Sequence, residues 1–406
     1  MNHCIARQPI FTKDKKVYAY ELLYREQGTE VYMSDDGDKA TLDVMINSFL
    51  SVGLDTLTGN KKAFINFTER LITEEIVTLF SKDHVVVELL ETVAPTKEII
   101  EACDTLKALG YSLVLDDFIL RENYDPLVDM ADIIKLDFLN TTLEENTKII
   151  QRCSKKGVKF LAEKIETIED FNNAIELGCI YFQGYFFAKP EILPSKTIPP
   201  YRMNYFRLLN EINSIEPDFD KLAEIIEHDV AFSYEVLKIV NSAAFYRKTK
   251  ISSVKQALVF MGINDIRKWI YMAMMRTVGS NKPNEIINYS MIRLKFMENL
   301  SIKLGQGYRS SQYITVGMLS MIDALMDMNM EDILDAINLA DEIRDILLGI
   351  KKDGQMALSY QLVLEYEKAN MDAITELSGE LQLEVNDVSQ MYYDSLEWLK
   401  IVSSYQ

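Results

Sequence analysis

Residues 111–165 read YSLVLDDFILRENYDPLVDMADIIKLDFLNTTLEENTKIIQRCSKKGVKFLAEKI, and their rhythm decides the fold of the first half. Three short apolar runs, YSLVLDDF, IIKLDF and KFLAEKI, are rich in the β-branched and aromatic residues that strands prefer. Between them lie polar-apolar segments with helical spacing, one of which closes on Gly157, a helix-stop signal. The rhythm extends outward to CIARQPIF, VYAYELLY, KAFINFT and HVVVELLE before this stretch and to YFQGYFF after it. TKEIIEACDTLKALG supplies another crossover helix ending on Gly110. Strand–helix alternation of this kind predicts parallel strands with crossover helices, and these runs suggest a compact (β/α)8 barrel with one or two reduced helices.

A different regime follows. Pro190, Pro194, Pro199 and Pro200 punctuate KPEILPSKTIPP, a semi-rigid connector. Beyond it the strand signal disappears. DKLAEIIEHD, YEVLKIVNSAAF, SSVKQALVFMG and NDIRKWIYMAMM are amphipathic helical patterns, and no proline occurs after Pro283. The division expected is a barrel over residues 1–195 and an all-α domain over 196–406.

Composition narrows the function. The chain has 406 residues, with 43 basic against 62 acidic side chains and a net charge of −19. A field of that sign repels nucleic acid and anionic lipid, so general nucleic-acid binding is not expected. No apolar run is long enough to span a membrane, and MNHCIARQPIF lacks the pattern of a secretory leader. Cys4, Cys103, Cys153 and Cys179 are widely spaced with no CxxC pair, which suits reduced thiols in the cytoplasm.

Acidic and amide residues close the strands: Glu21, Asn66, Glu88, Asp116, Asp117, Glu163 and Gln183, with Lys135 among them. In a barrel, residues at the carboxyl ends of strands converge on one face. Two carboxylates 4 Å apart repel by about 4 kcal/mol at an effective dielectric of 20, so several together need a cation. An oxygen-rich set suits Mg²⁺ or Mn²⁺; zinc would favour histidine or cysteine.

In order, ARQPIFTKDKKVYAYELLYR, FINFT, VVVELLET, LDDF, IKLD, AEKIET and FQGYFFAKP resemble the motifs of the EAL-domain cyclic di-GMP phosphodiesterases. The resemblance covers essentially residues 1–195. It implies that Glu21, Asn66, Glu88 and Asp116 hold one metal and that Asp117 joins a second. It further implies that Lys135 helps position the attacking water, that Glu163 is the general base or its close partner, and that Gln183 orients the site near that base. Arg25 would hold a ligand phosphate and Gln8 and Leu23 would lie against guanine, with Glu166 also on the ligand side. Glu91 corresponds to a glutamate that anchors a glycine-rich loop in the family. Three positions depart from the pattern. The loop after Asp117 reads ILRENYDPL with no glycine, Lys164 stands where the family has glycine, and Leu22 replaces the alanine of the EAL triplet.

The second half resembles the HDOD domain through IVNSAAF and ALVFMGINDIRKW. His228-Asp229 is an HD dipeptide, but no other histidine follows His84, so a metal phosphohydrolase site cannot be completed there. The two resemblances together imply a signalling protein that hydrolyses cyclic di-GMP to the linear dinucleotide. The alternative is an inactive cyclic di-GMP receptor whose helical half relays the signal to a protein partner. Self-association as a homodimer is compatible with either. The methionines between Met272 and Met330 are expected as core filler, and Trp269 as core beside Ile266 and Met272 or Ala273.

Overall fold

The structure is a computed structural model. It describes residues 3–26, 53–121, 123–154, 157–184, 203–214, 216–228, 230–240, 251, 253–278, 283–337 and 339–404. The proline-rich connector, most of ATLDVMINSFLSVG, whose apolar spacing also predicts a helix, and the end of IVNSAAF lie outside the described residues.

Eight strands close a barrel in sequence order: β1 (His3–Thr12), β2 (Val17–Glu26), β3 (Lys62–Phe67), β4 (Val85–Leu89), β5 (Ser112–Leu115), β6 (Ile133–Asp137), β7 (Lys159–Glu163) and β8 (Tyr181–Phe182). From β2 to β8 neighbours run parallel, but β1 is antiparallel to both β2 and β8. The connection explains this exception to a uniform (β/α)8 pattern. Only Lys13–Lys16 separate β1 from β2, enough for a hairpin and far too few for the crossover that parallel strands need. Thr12 and Lys16 close that turn, with the Thr12 amide donating to the Lys16 carbonyl at 2.8 Å.

The crossover helices begin and end where the sequence marks them. Thr96 caps Lys97–Leu109, which stops at Gly110 in the left-handed conformation. Thr142 and Glu145 form a reciprocal capping box at the start of Leu143–Cys153. The expected reduction falls on Glu69–Thr73 and Asp125–Met130, of five and six residues.

The barrel interior is filled in layers. Ile10, Ala19, Phe64, Val86, Val114, Ile133, Leu161 and Tyr181, one residue from each strand, form a buried apolar cluster. Tyr18 packs against it, stacking on Tyr181 with ring centroids 4.2 Å apart. This apolar plug fixes the floor on which the next layer stands.

The chain divides into two compact units, Met1–Ala188 with Gln361–Gln406, and Lys189–Tyr360. The first break falls between Ala188 and Lys189. The last segment differs from the sequence reading, which kept the helical domain running to residue 406. Helix Val385–Ser404 lies against β1 and against Leu54–Thr58. Its Tyr392 and Tyr393, with Tyr366, are buried, and both Tyr366 and Tyr393 come close enough to Cys4 of β1 to interact electrostatically. Helical periodicity reveals an apolar face but not which surface covers it.

The described elements of the second unit are all helices, joined by turns and loops, with no strand among its described residues. Trp269 is buried and meets Phe232 edge-on at 5.8 Å, with Ile266 and Ala273 also buried. Met291, Met297, Met318, Met321 and Met326 are buried core. The Met272 side chain lies outside the described residues. Helices Asn284–Lys303 and Ser310–Leu319 cross so tightly at Gly317 that a Cβ there would lie 2.5 Å from the Arg293 carbonyl oxygen. Gly379, inside helix Met371–Glu380, would meet nothing within 4 Å. Gly317→Ala should therefore destabilise the protein by about 1–3 kcal/mol through overpacking. Gly379→Ala should be neutral or stabilising by up to about 1 kcal/mol. Urea unfolding of both variants checks the contrast, and equal midpoints would contradict the packing at Gly317.

Candidate functional site

Two residues along each strand from the apolar layer, towards the carboxyl ends of β2–β8, every side chain changes character. The set is Gln8, Glu21, Asn66, Glu88, Asp116, Lys135, Glu163 and Gln183. Side chains of a strand alternate with period two, so a residue two positions from an interior one is also interior. In antiparallel β1 the same step runs backward from Ile10 to Gln8, which sits opposite Glu21 in the register. Asn66 likewise pairs with Glu88. The polar layer is therefore a consequence of strand register, and it unites residues as far apart as Gln8 and Gln183.

Lys135 stands at its centre with 1% of its side chain exposed. Its Nζ lies 2.8 Å from Asp116 Oδ1, 2.8 Å from Glu163 Oε1, 3.0 Å from Glu88 Oε1 and 3.4 Å from Glu21 Oε1. Burial works against the charge of this ammonium, but the surrounding carboxylates, Asp116 foremost, hold its pKa well above the ordinary lysine value. One positive charge does not balance four negative ones. Burial raises the Glu88 carboxyl well above its usual range, Lys135 opposing and the other acids adding to the rise. Glu163 is pushed by burial up to about 8, against the pull of Lys135.

Amides bind the layer together. Gln183 Nε2 donates to Glu21 Oε2 at 2.7 Å and to Gln8 Oε1 at 3.0 Å, and Asn66 Nδ2 donates to Glu21 Oε1 at 3.4 Å. Gln183 is held in place by its backbone, whose carbonyl accepts from the Ile165 amide at 3.0 Å. The next residue, Gly184, permits that approach: a Cβ there would lie 2.3 Å from the Ile165 nitrogen.

Among the described residues, no group of three histidine, cysteine or acidic side chains forms a ready-made metal cage. The Lys135 ammonium occupies the place where the carboxylates converge. The donor chemistry nevertheless fits a hard divalent ion. Among the described residues, the buried Asn66 Oδ1 and both oxygens of Glu88 have no hydrogen-bond donor, since the Lys135–Glu88 contact is an ion pair without hydrogen-bond geometry. Buried acceptors left in that state are costly. Together with Glu21 and Asp116 they make an all-oxygen set of the kind Mg²⁺ and Mn²⁺ take.

The remaining expected residues are distributed around this layer. Asp117 lies outside the Lys135 cluster, its carboxylate engaged by Lys164. Leu23 is buried in β2, two residues beyond Glu21. Arg25 lies opposite Cys4 in the hairpin, and its side chain is outside the described residues. Glu166 is exposed before helix Ile168–Glu176 rather than gathered into the cluster. Glu91 holds the loop after Asp117 through its main chain: Arg121 Nη1 donates to the Glu91 carbonyl at 3.0 Å. The Tyr124 hydroxyl donates to the Val93 carbonyl at 3.2 Å. Arginine and tyrosine thus tether a loop that has no glycine. In the sequence, Asp137 is legible only as an acid at a strand end, two positions after Lys135, with no role; Arg121 is not singled out, because neither spacing nor residue type distinguishes it from a surface charge. In the second unit, His228 Nδ1 bonds the Glu224 carbonyl at 2.6 Å and is exposed, a helix-end contact; Asp229 lies outside the described residues.

Comparison with known proteins supplies the family context. The family model of the EAL domain matches residues 43–190, and that of the HDOD domain matches residues 198–337. The chain is 39% identical over 402 residues to the uncharacterized protein YuxH of Bacillus subtilis, covering 97% of each. It is 30% identical over 397 residues to the cyclic di-GMP phosphodiesterase CdgJ of Vibrio cholerae, covering 97% of this chain and 91% of that one. Among solved structures, an EAL domain protein from Listeria monocytogenes aligns at 20% identity with a TM-score of 0.35, over 46% of this chain and 87% of that one. The Bacillus subtilis YkuI protein, solved with cyclic di-GMP and calcium, aligns at 18% identity with a TM-score of 0.39, over 56% of this chain and 72% of that one.

The charge imbalance around Lys135 generates a direct expectation. Lys135→Met should cost the metal-free protein about 3–5 kcal/mol, because four carboxylates, three of them buried, lose the ammonium they share. Adding Mn²⁺ should restore much of that loss. Urea unfolding in EDTA and then in Mn²⁺ measures both effects; wild-type stability of the variant in EDTA would show that Lys135 is not the compensating charge.

Proposed function

The chain belongs to the family of EAL–HDOD signalling proteins, and from that premise we propose that its barrel hydrolyses cyclic di-GMP to the linear dinucleotide with a divalent cation. The observation that carries this reading is the polar layer itself: Glu21, Glu88, Asp116 and Glu163 around one lysine, beside an Asn66 oxygen and a Glu88 carboxylate with no hydrogen-bond donor. Glu21, Asn66, Glu88 and Asp116 would hold Mg²⁺ or Mn²⁺. Bound there, such an ion neutralises phosphoryl oxygens and lowers the pKa of water.

The residues of the chain divide the remaining work. Lys135 and Glu163, 2.8 Å apart, form the pair that orients a water and accepts its proton. Burial keeps Glu163 protonated when positive charge is scarce, and added positive charge in this layer favours the carboxylate a base requires. Attack at phosphorus breaks one ring P–O bond, and the departing ribose oxygen takes up a proton. Gln183 fixes Glu21 and Gln8, while Gln8, Leu23 and Arg25 are the positions assigned to the nucleotide. Positive charge held in the barrel also explains how a chain of net −19 can take a doubly anionic ligand.

The HDOD half serves as a non-catalytic module for a protein partner or for homodimer formation. Among the described residues no helix is long and apolar enough to cross a membrane, and the cytoplasm is the compartment assigned. A second reading, a cyclic di-GMP receptor without turnover, is favoured by the loop after Asp117, which is tied down by Arg121 and Tyr124.

One assay separates the two. Labelled cyclic di-GMP incubated with Mg²⁺ or Mn²⁺ should yield the linear dinucleotide, and Glu163→Gln should lower the rate by at least about a hundredfold. Asp116→Asn should lose the heat of metal binding in calorimetry. Nucleotide binding without product supports the receptor; equal metal heat from wild type and Asp116→Asn contradicts the ligand set.

A further inference from the structure

Beyond the polar layer, towards the mouth of the barrel, a second ion-pair cluster is built from residues outside the Lys135 contacts. Lys164 follows the base candidate Glu163 directly. Its Nζ lies 3.3 and 3.2 Å from the two oxygens of Asp117 and 2.5 Å from Asp137 Oδ2. Asp137 is saturated by further donors: the Leu139 amide at 2.7 Å, the Asn140 amide at 2.8 Å and Asn140 Nδ2 at 2.7 Å. Asp137 sits two residues beyond Lys135 on β6, so the cluster stands one step above the polar layer.

The backbone on both sides of this contact is unusual. Asp117 has φ 40° and Lys164 has φ 56°, both in the left-handed region that disfavours residues with a Cβ. Strain kept at two facing positions marks a contact that the surrounding structure sustains. The charge balance also differs between the two levels. Around Lys135, four carboxylates share one ammonium; around Lys164, two carboxylates share one and every oxygen of both has a donor. The lower level calls for another cation. The upper level already has its own.

We propose that this barrel takes a single divalent cation, and that the Lys164 ammonium, fixed between Asp117 and Asp137, is the tethered positive charge that excludes a second ion from Asp117. This replaces the expectation that Asp117 joins a second metal, and it rests on the reading that the first ion binds at Glu21, Asn66, Glu88 and Asp116. An ion approaching Asp117 would have to displace an ammonium hydrogen-bonded to the same two oxygens and then remain beside that ammonium. Lys164 is still 39% exposed, so its charge is also accessible to an anionic phosphodiester entering the mouth. The site would thus present one exchangeable dication and one covalently held cation to a phosphate diester.

The test is stoichiometry. Mn²⁺ titration of the full chain, followed by calorimetry and electron paramagnetic resonance, should give one Mn²⁺ per wild-type chain with an uncoupled spectrum. Lys164→Gly, which suits the positive φ, should take two and show exchange coupling between them. Lys164→Gln, removing the charge at similar length, should do the same, and Lys164→Arg should return to one. Two ions in the wild type, or one in both charge-removing variants, would overturn the role of Lys164 while leaving the first site intact. No Mn²⁺ in the wild type, matching Asp116→Asn, would instead remove the metal-site reading on which the inference stands.

Discussion

Four carboxylates, three of them buried, around a single ammonium are the constraint from which the rest of the barrel follows. Such a layer is unfavourable in any interior that does not hold it rigidly, because each acid raises the cost of ionising the next. The eight-residue apolar plug beneath it supplies that rigidity, and closure of the sheet leaves no free strand edge along which the layer could spread. Lys135 keeps the layer together without balancing it. Burial holds the Glu88 and Glu163 carboxyls above their usual range, a shift that added positive charge would oppose.

Charge is organised by depth. At the polar layer, four carboxylates share one ammonium, and among the described residues Asn66 Oδ1 and both Glu88 oxygens have no donor. One step towards the mouth, Lys164, Asp117, Asp137 and Asn140 form a closed set in which every carboxylate oxygen has a donor. Proteins of this family are read by their aligned acids, yet a cation placed next to an acid changes what that acid can bind. Asp117 illustrates the point: its neighbour in sequence, Asp116, faces Lys135, and Asp117 faces Lys164. Adjacent residues of a strand end point to different surroundings.

The helical unit has a different economy. Its core is methionine, leucine, isoleucine and aromatic side chains, with titratable groups paired locally, as Glu298 is between Lys268 and Lys295. His228 bonds the helix end that precedes it. Arg344 gathers Glu331, Asp335 and Asp345, but these acids are exposed, unlike those packed around Lys135.

Strand–helix alternation determined the barrel from sequence alone, and the acids at strand ends determined most of its polar layer, since a period of two and a common C-terminal face need no knowledge of distant contacts. Glu21, Asn66, Glu88, Asp116, Lys135, Glu163 and Gln183 were legible for that reason. Three things were decided only by tertiary structure. The antiparallel entry of β1 brings Gln8 into the layer by running the two-residue step backward. The return of Gln361–Gln406 to the barrel's unit depends on which surface an amphipathic helix covers, and periodicity carries no such information. The engagement of Asp117 by Lys164 joins residues 47 positions apart through loops at positive φ. Local sequence sets which face a side chain points to; its partner across the barrel is set by closure of the sheet, and closure is a property of the whole chain.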